Sequence, residues 1–451
     1  MVKKKKLKPA SQIAFGFLLV IIVGTFLLCL PCSSKNGQWF SFVDSLLTST
    51  SAVCVTGLIV VDTAVHFSLF GQIVILLLIQ IGGLGFITLT SLIFLLIGKK
   101  IGYEQRVAMQ ESLSQENNQG IVKFVRNIII VVFSIEFIGF LCLAPSMISN
   151  FGWGDGIFKA LFLSISAFCN AGFDVLGTYG TEFQNLGVFA ENSLVLLPIM
   201  FLIVVGGIGF VVLFDVGKRV GRQKKKMSLH SKIVLITTLV LVFGGAIIFA
   251  ILEWNNPNTI GNMSVWDKIV NSFFQSITPR TAGFTTFDQS KLTQASVVVT
   301  DILMFIGGSP ASTAGGIKTI TFVILLLFVF KTQNSKGDII VCKKKISQKT
   351  VQKALKIFCI AVVLILVSTM AICIFEGPNV TLGAVLYEVI SAISTVGLTM
   401  GITPTLGGLS KLVLILLMFV GRVGALTFTV ALGNKSVSQD IEYPDSKIIV
   451  G

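Results

Sequence analysis

The sequence predicts an all-α polytopic membrane protein, built from four tandem units in pseudo-fourfold arrangement around one pore. Three observations carry this. Hydrophobic residues make up 53% of the 451-residue chain and charged residues 12%, about half the charge of a soluble domain. Long apolar runs recur at 13–30, 69–97, 128–143, 193–214, 233–252, 297–306, 317–330, 357–375 and 412–432. Most reach the ~20 residues that cross a ~30 Å hydrocarbon layer. A short glycine-ended motif also comes round four times. A transmembrane barrel would alternate over ~10-residue strands instead.

The chain opens MVKKKKLK before its first apolar run. That run is long for a signal-peptide core and no small-residue cleavage site follows, so it reads as a first spanning helix. Of the 35 Lys and Arg residues, 27 fall in the N-terminal run, residues 99–126, 218–232 and 331–356, and the C-terminal segment, against six on the opposite side. The positive-inside rule puts both termini in the cytoplasm and makes the number of crossings even. Topology explains these basic loops without nucleic acid. The other side is rich in acids, among them Asp44, Asp62, Asp155, Asp174, Glu253 and Glu388. Such a face raises the local cation concentration, although solvated loops carry charge in any case.

The four motifs are "SAVCVTG" at 51–57, "SAFCNAG" at 166–172, "SITPRTAG" at 276–283 and "SAISTVG" at 391–397. Their end glycines are 115, 111 and 114 residues apart. Upstream of each glycine stands a possible helix start: Ser41/Asp44, Asp155, Ser264 with Asp267, and Thr381. Ser264 and Asp267 form a capping box with Asp in place of Glu. From start to glycine is ~17 Å or a little more of helix, about half a bilayer. An apolar helix with its own glycine cluster follows: Gly82-Gly83-Leu84-Gly85, Gly206-Gly207-Ile208-Gly209, Gly307-Gly308 and Gly421-Arg422-Val423-Gly424. That cluster begins 24 or 25 residues after the loop glycine in three units and 34 after it in the second. Each unit reads as full helix, half helix, glycine loop, full helix. The units occupy 1–100, 101–222, 223–345 and 346–451, giving eight crossings and four re-entrant loops.

Non-helical backbone at membrane depth is tolerated where protein or a water-filled cavity satisfies it. Four such loops on one axis make a pore. Rings of backbone carbonyls can replace a monovalent cation's hydration shell, and glycine takes the required backbone angles without a Cβ penalty. Each half helix also aims its negative C-terminal end at the axis. The candidate ion-binding residues are Val55, Thr56 and Gly57; Asn170, Ala171 and Gly172; Thr281, Ala282 and Gly283; and Thr395, Val396 and Gly397. The last triplet matches the front half of the potassium-channel signature Thr-Val-Gly-Tyr-Gly, while Leu398 and Thr399 stand in place of its back half. One such glycine is explained by an ordinary turn. Four at equal spacing in one context are not.

The third unit carries a second anomaly. Residues 294–330 would form a ~55 Å helix, interrupted by "IGGSPASTAGGIK" at 306–318. Paired glycines and Ser-Pro break a helix. The stretch reads as a mobile loop in the pore below the filter, with Gly307, Gly308, Ser309, Ala311, Ser312, Thr313, Ala314, Gly315, Gly316 and Lys318 as gate residues; a plain kink or packing surface is the alternative. Arg422 lies well inside an apolar helix. An intramembrane charge is expected to face a cavity, where it opposes cation passage and can bond the loop carbonyls. The alternative is a structural Arg tied to helix-end carbonyls elsewhere.

Together these features resemble the Trk/Ktr/HKT superfamily of potassium-translocating subunits over nearly the whole chain. The specific points are the four single-glycine loops, "GGSPASTAGGIK" and the Arg of the fourth unit. The ending "YPDSKIIVG" and the lack of an extra N-terminal helix pair resemble the Ktr type, KtrB-like subunits. The resemblance implies potassium uptake across the cell membrane by a homodimer with one pore per protomer. It also implies a cytoplasmic ring of nucleotide-binding, RCK-type regulatory subunits, and stimulation by Na+. The basic loops at 218–232 and 331–356 would dock that ring. No cofactor is expected in this chain, since "GGIGF" and "GGLGF" lack the strand–helix context of a nucleotide motif. The rival is a sodium- or proton-coupled secondary transporter with broken helices, which predicts inverted repeats; these repeats run the same way. An enzyme would need paired acids or metal ligands. Glu136 and Asp301 show no evident partner, the eight cysteines have no metal spacing, and neither His66 nor His230 is assigned a role.

Overall fold

The computed structural model describes residues 9–85, 106, 110, 120–178, 182–220, 226–330, 339–341 and 344–424. The chain is a polytopic helical membrane protein. The first helix of each unit is long, unbroken and apolar: α1 (Pro9–Cys29), α4 (Ile121–Phe151), α8 (Leu229–Glu253) and α12 (Gln348–Glu376). These four have the length and hydropathy of membrane spans. Their outer faces expose Phe15, Phe26, Phe137, Ile251 and Ile374, as lipid-facing surfaces require.

Four shorter helices follow them: α2 (Phe42–Cys54), α5 (Trp153–Cys169), α9 (Val265–Ile277) and α13 (Leu382–Ser394). At ~1.5 Å per residue each covers about half a bilayer or a little more. Their second halves are almost wholly buried. Half of the expected capping box is present: Ser264 accepts from the Asp267 N–H, but the Asp267 carboxylate accepts from the Ser264 hydroxyl in place of its backbone N–H. Thr381 caps α13.

The second long helices differ from the expectation in one respect. A break is foreseen only in the third unit, yet the second unit has one too, and the described helices of the first and fourth units also end at a glycine, with the residues beyond lying outside the described ones. Helix α3 (Leu69–Leu84) stops at Gly85, α6 (Ser193–Ile208) at Gly209 and α14 (Gly408–Val423) at Gly424. All three glycines have φ between 81° and 98° and ψ between 129° and 140°, a region open to glycine. Helix α7 (Phe210–Val220) leaves α6 at 99°. In the third unit α10 (Gln294–Phe305) and α11 (Thr319–Phe330) flank the long break. A hairpin of β1 (Ile339–Val341) and β2 (Lys344–Ile346) leads into α12. The N-terminal lysines, parts of both basic loops and the C-terminal ending lie outside the described residues.

Each second helix packs on the short helix of the next unit: α3 on α5, α6 on α9, α10 on α13, and α14 back on α2. This cyclic order closes the four units around one axis. A Lys411–Asp44 ion pair of 2.8 Å spans the seam between the fourth and first units.

Candidate functional site

The four loop glycines meet at that axis. A Cβ built on Gly57 would lie 2.7 Å from the Ala171 carbonyl oxygen, and one on Gly172 would lie 2.8 Å from that of Ala282. One on Gly283 would overlap the Val396 oxygen, and one on Gly397 the Thr56 oxygen. The order 57, 172, 283, 397 and back to 57 is a closed ring. Each glycine sits against the carbonyl that precedes the next glycine. All four have φ between 70° and 100°. Glycine is required twice over, by backbone angle and by space.

Sequence reasoning missed a second left-handed residue two places before each glycine: Val55, Asn170, Thr281 and Thr395, with φ from 51° to 73°. Val55 and Thr395 are β-branched, so this geometry is held against a steric cost. Alternating hands along a short segment turn successive carbonyls to one side. Three short helices end in a Schellman-type pattern: the N–H groups of Thr56, Ala171 and Val396 donate to the carbonyls of Ser51, Ser166 and Ser391, each at 2.8 Å. The same serines brace the loops. Ser51 and Ser391 accept from the Gly57 and Gly397 N–H groups at 3.0 Å, and Ser166 donates to the Phe173 carbonyl at 2.6 Å.

The third unit corrects the motif alignment. Thr278, not Ser276, takes the bracing role, donating to the Phe284 carbonyl at 2.6 Å. Ser276 answers instead to Ser49 and Ser164. All three bond a carbonyl of the preceding long helix and face Gly24, Gly139 or Gly245, where a Cβ would strike the hydroxyl. A signal existed: Gly24–Ser49 and Gly139–Ser164 share a spacing of 25.

Residues 306–318 lie against the helix-end side of the ring. Gly315 abuts the Thr395 side chain and Gly316 the Ser394 backbone. The Thr313 hydroxyl donates to the Phe168 carbonyl at 3.2 Å, and the N–H groups of Ser309 and Thr313 reach the carbonyls of Gly207 and Gly206. The loop thus touches the second and fourth units while belonging to the third. It is tied within itself by Ser312 to the Ser309 carbonyl at 2.6 Å and by Lys318 Nζ to the Ala314 carbonyl at 2.7 Å. Gly307 and Gly308 pack against Gly315 and Ala314 across it, and Ala311 accepts from the Phe210 N–H at 2.8 Å. Half-buried Arg422 donates through one guanidinium nitrogen to the Thr313 carbonyl and through the other to the Gly82 carbonyl. The two alternatives drawn from sequence therefore coincide in one side chain: it bonds the loop and it caps the end of α3. Beside them opens a cavity of about 400 Å³, lined by Gly85, Phe210, Ala311, Lys318, Lys353 and Arg422.

Several acids are in structural positions. Glu136 does have a partner, contrary to expectation: Gln80 Nε2 donates to both of its carboxylate oxygens at 3.1 and 3.2 Å, joining α3 to α4. Asp301 keeps a buried oxygen without a partner among the described residues. Glu253 accepts from Thr293 and Thr259, Glu388 from Thr399 and Thr403, and Asp62 from the Ala64, Val65 and Phe183 N–H groups. These three acids secure loops between helices, while Asp155, Glu182, Glu191 and Asp288 are exposed. Asp174 is the exception by location, two residues beyond Gly172 and 8% exposed. Among the described residues no group of three His, Cys, Asp or Glu could hold a metal.

The comparisons agree with this architecture. Residues 6–440 match the family model TrkH, a cation transport protein. The chain is 40% identical to the Ktr system potassium uptake protein B of Bacillus subtilis, over all of this chain and 98% of that one. It is 38% identical to the potassium/sodium uptake protein NtpJ of Enterococcus hirae, over 99% and 98%. The crystal structure of the potassium transporter TrkH from Vibrio parahaemolyticus aligns over 96% of this chain and 87% of that one, with a TM-score of 0.72 at 18% identity. The chain belongs to the TrkH cation transport protein family.

Proposed function

We propose that this member of the TrkH family is the potassium-translocating membrane subunit of a Ktr-type uptake system, acting in the cell membrane with both termini cytoplasmic. Potassium crosses at the glycine ring, shedding water onto the backbone carbonyls of the four loops. Residues 306–318 and Arg422 are the gate. The observation that carries this is the closed ring of four positive-φ glycines, each against the next unit's carbonyl, with a small-residue loop directly against its foot. A ring of carbonyls suits a cation that must be dehydrated, and a loop of glycine, alanine and serine can shift at small steric cost.

The ring has one level of glycine where Thr-Val-Gly-Tyr-Gly supplies more, so it holds fewer ion sites. Sodium is accordingly the competitor to test, and it also appears in the name of the Enterococcus relative. The assembly we infer is a homodimer controlled by a cytoplasmic, nucleotide-binding regulatory ring, with the basic segments at 218–232 and 331–356 as its docking surface. The test is potassium influx into liposomes holding the purified chain, with sodium as competitor, repeated with residues 311–315 deleted. Potassium influx exceeding sodium influx is expected. Equal influx of both ions in the deletion variant would overturn the assignment.

A further inference from the structure

We propose that Asn185 is a positioning residue for ion selectivity, holding the Gly172 carbonyl of the ring in place from the outer loop of the second unit. This rests on the ring being the selectivity filter. The starting point is the one irregular spacing in the repeat: 34 residues, not 24 or 25, separate the loop glycine from the next glycine cluster in the second unit. The extra chain folds back over the ring. Asn185 is itself left-handed, with φ 50°. Its side-chain amide nitrogen donates to the Gly172 carbonyl at 3.3 Å and to Asp174 Oδ2 at 2.8 Å. Its amide oxygen accepts from the Leu186 N–H at 2.9 Å and from the Thr285 N–H of the third unit at 3.3 Å. Leu186 N–H also reaches the Thr285 carbonyl at 3.0 Å. The loop is anchored on the far side by Phe183 N–H donating to Asp62 of the first unit at 3.0 Å.

One side chain thus ties the second unit's filter segment to the third, within a loop fastened to the first. Among the described residues, Gly172 is the one ring glycine whose carbonyl accepts a side-chain hydrogen bond. The consequence for ions is directional. A carbonyl that already accepts an N–H bond offers a cation a weaker net field, because the donor's positive hydrogen offsets part of the oxygen's negative potential, and it is restrained from tilting inward around a smaller ion. Field strength and cavity size both bear on potassium-over-sodium preference, and both effects act against sodium here.

The left-handed backbone makes a clean test available. Asn185→Gly keeps φ 50° without strain and removes only the amide. Asn185→Asp keeps the oxygen that accepts from Thr285 and loses the donor to Gly172. The purified full-length chain is titrated with K+ and with Na+ while its melting temperature is followed, since an ion bound to the folded state raises it. This reads ion preference whether or not the gate is open. The ratio of half-saturating Na+ to K+ should fall about fivefold in Asn185→Gly, the scale of one ordinary hydrogen bond, and at least as far in Asn185→Asp. The ion-free melting temperature should change little. A merely structural role would lower that temperature and leave the ratio alone, and would overturn the proposal. Gly397→Ser is the control. If it shifts the ratio and both Asn185 variants do not, the proposal fails and the filter stands. If none shifts it, or the wild-type chain is not stabilised by K+, the filter assignment fails and takes the proposal with it.

Discussion

At the glycine ring the four units are near-copies; on its helix-end side they are not. Every unit gives the ring one left-handed residue, one carbonyl and one glycine in the same order. Against the foot of the ring, the first, second and fourth units end a helix at a single glycine, while the third inserts residues 306–318 and the fourth adds Arg422. A spherical cation is best surrounded by equivalent ligands, and a gate has no such need, because one moving segment closes one axis. Under the proposed function, divergence among repeats marks the layer of control, and likeness marks the layer that holds the ion.

The comparison breaks most visibly if the divergent layer is removed. Deleting residues 311–315 should raise potassium influx into liposomes roughly tenfold or more, since an obstruction worth only ~1.4 kcal/mol already suppresses flux tenfold. Lower influx in a folded chain would make the loop a strut. Arg422→Ala should raise influx by a smaller factor, about threefold, because it also leaves the Thr313 and Gly82 carbonyls without their donor. A variant that loses its fold instead would make capping of α3 the residue's main work.

Substitutions in the repeated layer sharpen the same contrast. Serine at any ring glycine should erode preference for potassium over sodium without opening the gate. The ring is not uniformly tight: a Cβ on Gly397 overlaps the Thr56 oxygen, whereas one on Gly172 lies 2.8 Å from its nearest atom. Gly397→Ser should thus cost about tenfold in preference, where a buried backbone overlap is worth ~1–3 kcal/mol, and Gly172→Ser less. Equal effects would mean that backbone angle alone, and not clearance, makes glycine necessary. Gly139→Val, behind the ring, should lower stability by ~1–3 kcal/mol through contact with Ser164 and Leu202 and leave ion preference as it was.

Much of this plan is legible in sequence because membrane depth leaves few options for the backbone. Runs of apolar residues mark the long helices, and the near-equal spacing of the glycines at 57, 172, 283 and 397 marks one repeated loop, which the ring geometry bears out. What escaped depends on contacts between distant segments. Val55 and Thr395 are poor candidates for left-handed backbone on propensity, and only the packed ring holds them there. Thr278 was hidden because the third motif differs in length, so matching its first serine shifted the register. Glu136 seemed alone because Gln80 lies 56 residues away on another unit's helix. The helix ends at Gly85, Gly209 and Gly424 were visible as glycines but not as ends, since a lone glycine in an apolar helix is usually tolerated.

The smallest expected effect lies on the outer side of the ring, where the units diverge again. Two residues past each ring glycine stand Ile59, Asp174, Thr285 and Thr399, so the second unit alone places an acid there. Asp174 is 8% exposed and shares the Asn185 amide with the Gly172 carbonyl. A carboxylate there favours an arriving cation. In Asp174→Asn, potassium influx at sub-saturating potassium should fall about threefold, with little change at saturation, because the charge raises local concentration and leaves the rate of passage alone. If the variant keeps wild-type influx at low potassium, the side chain does not attract the ion, and this side of the second unit is then distinguished only by its Asn185 brace.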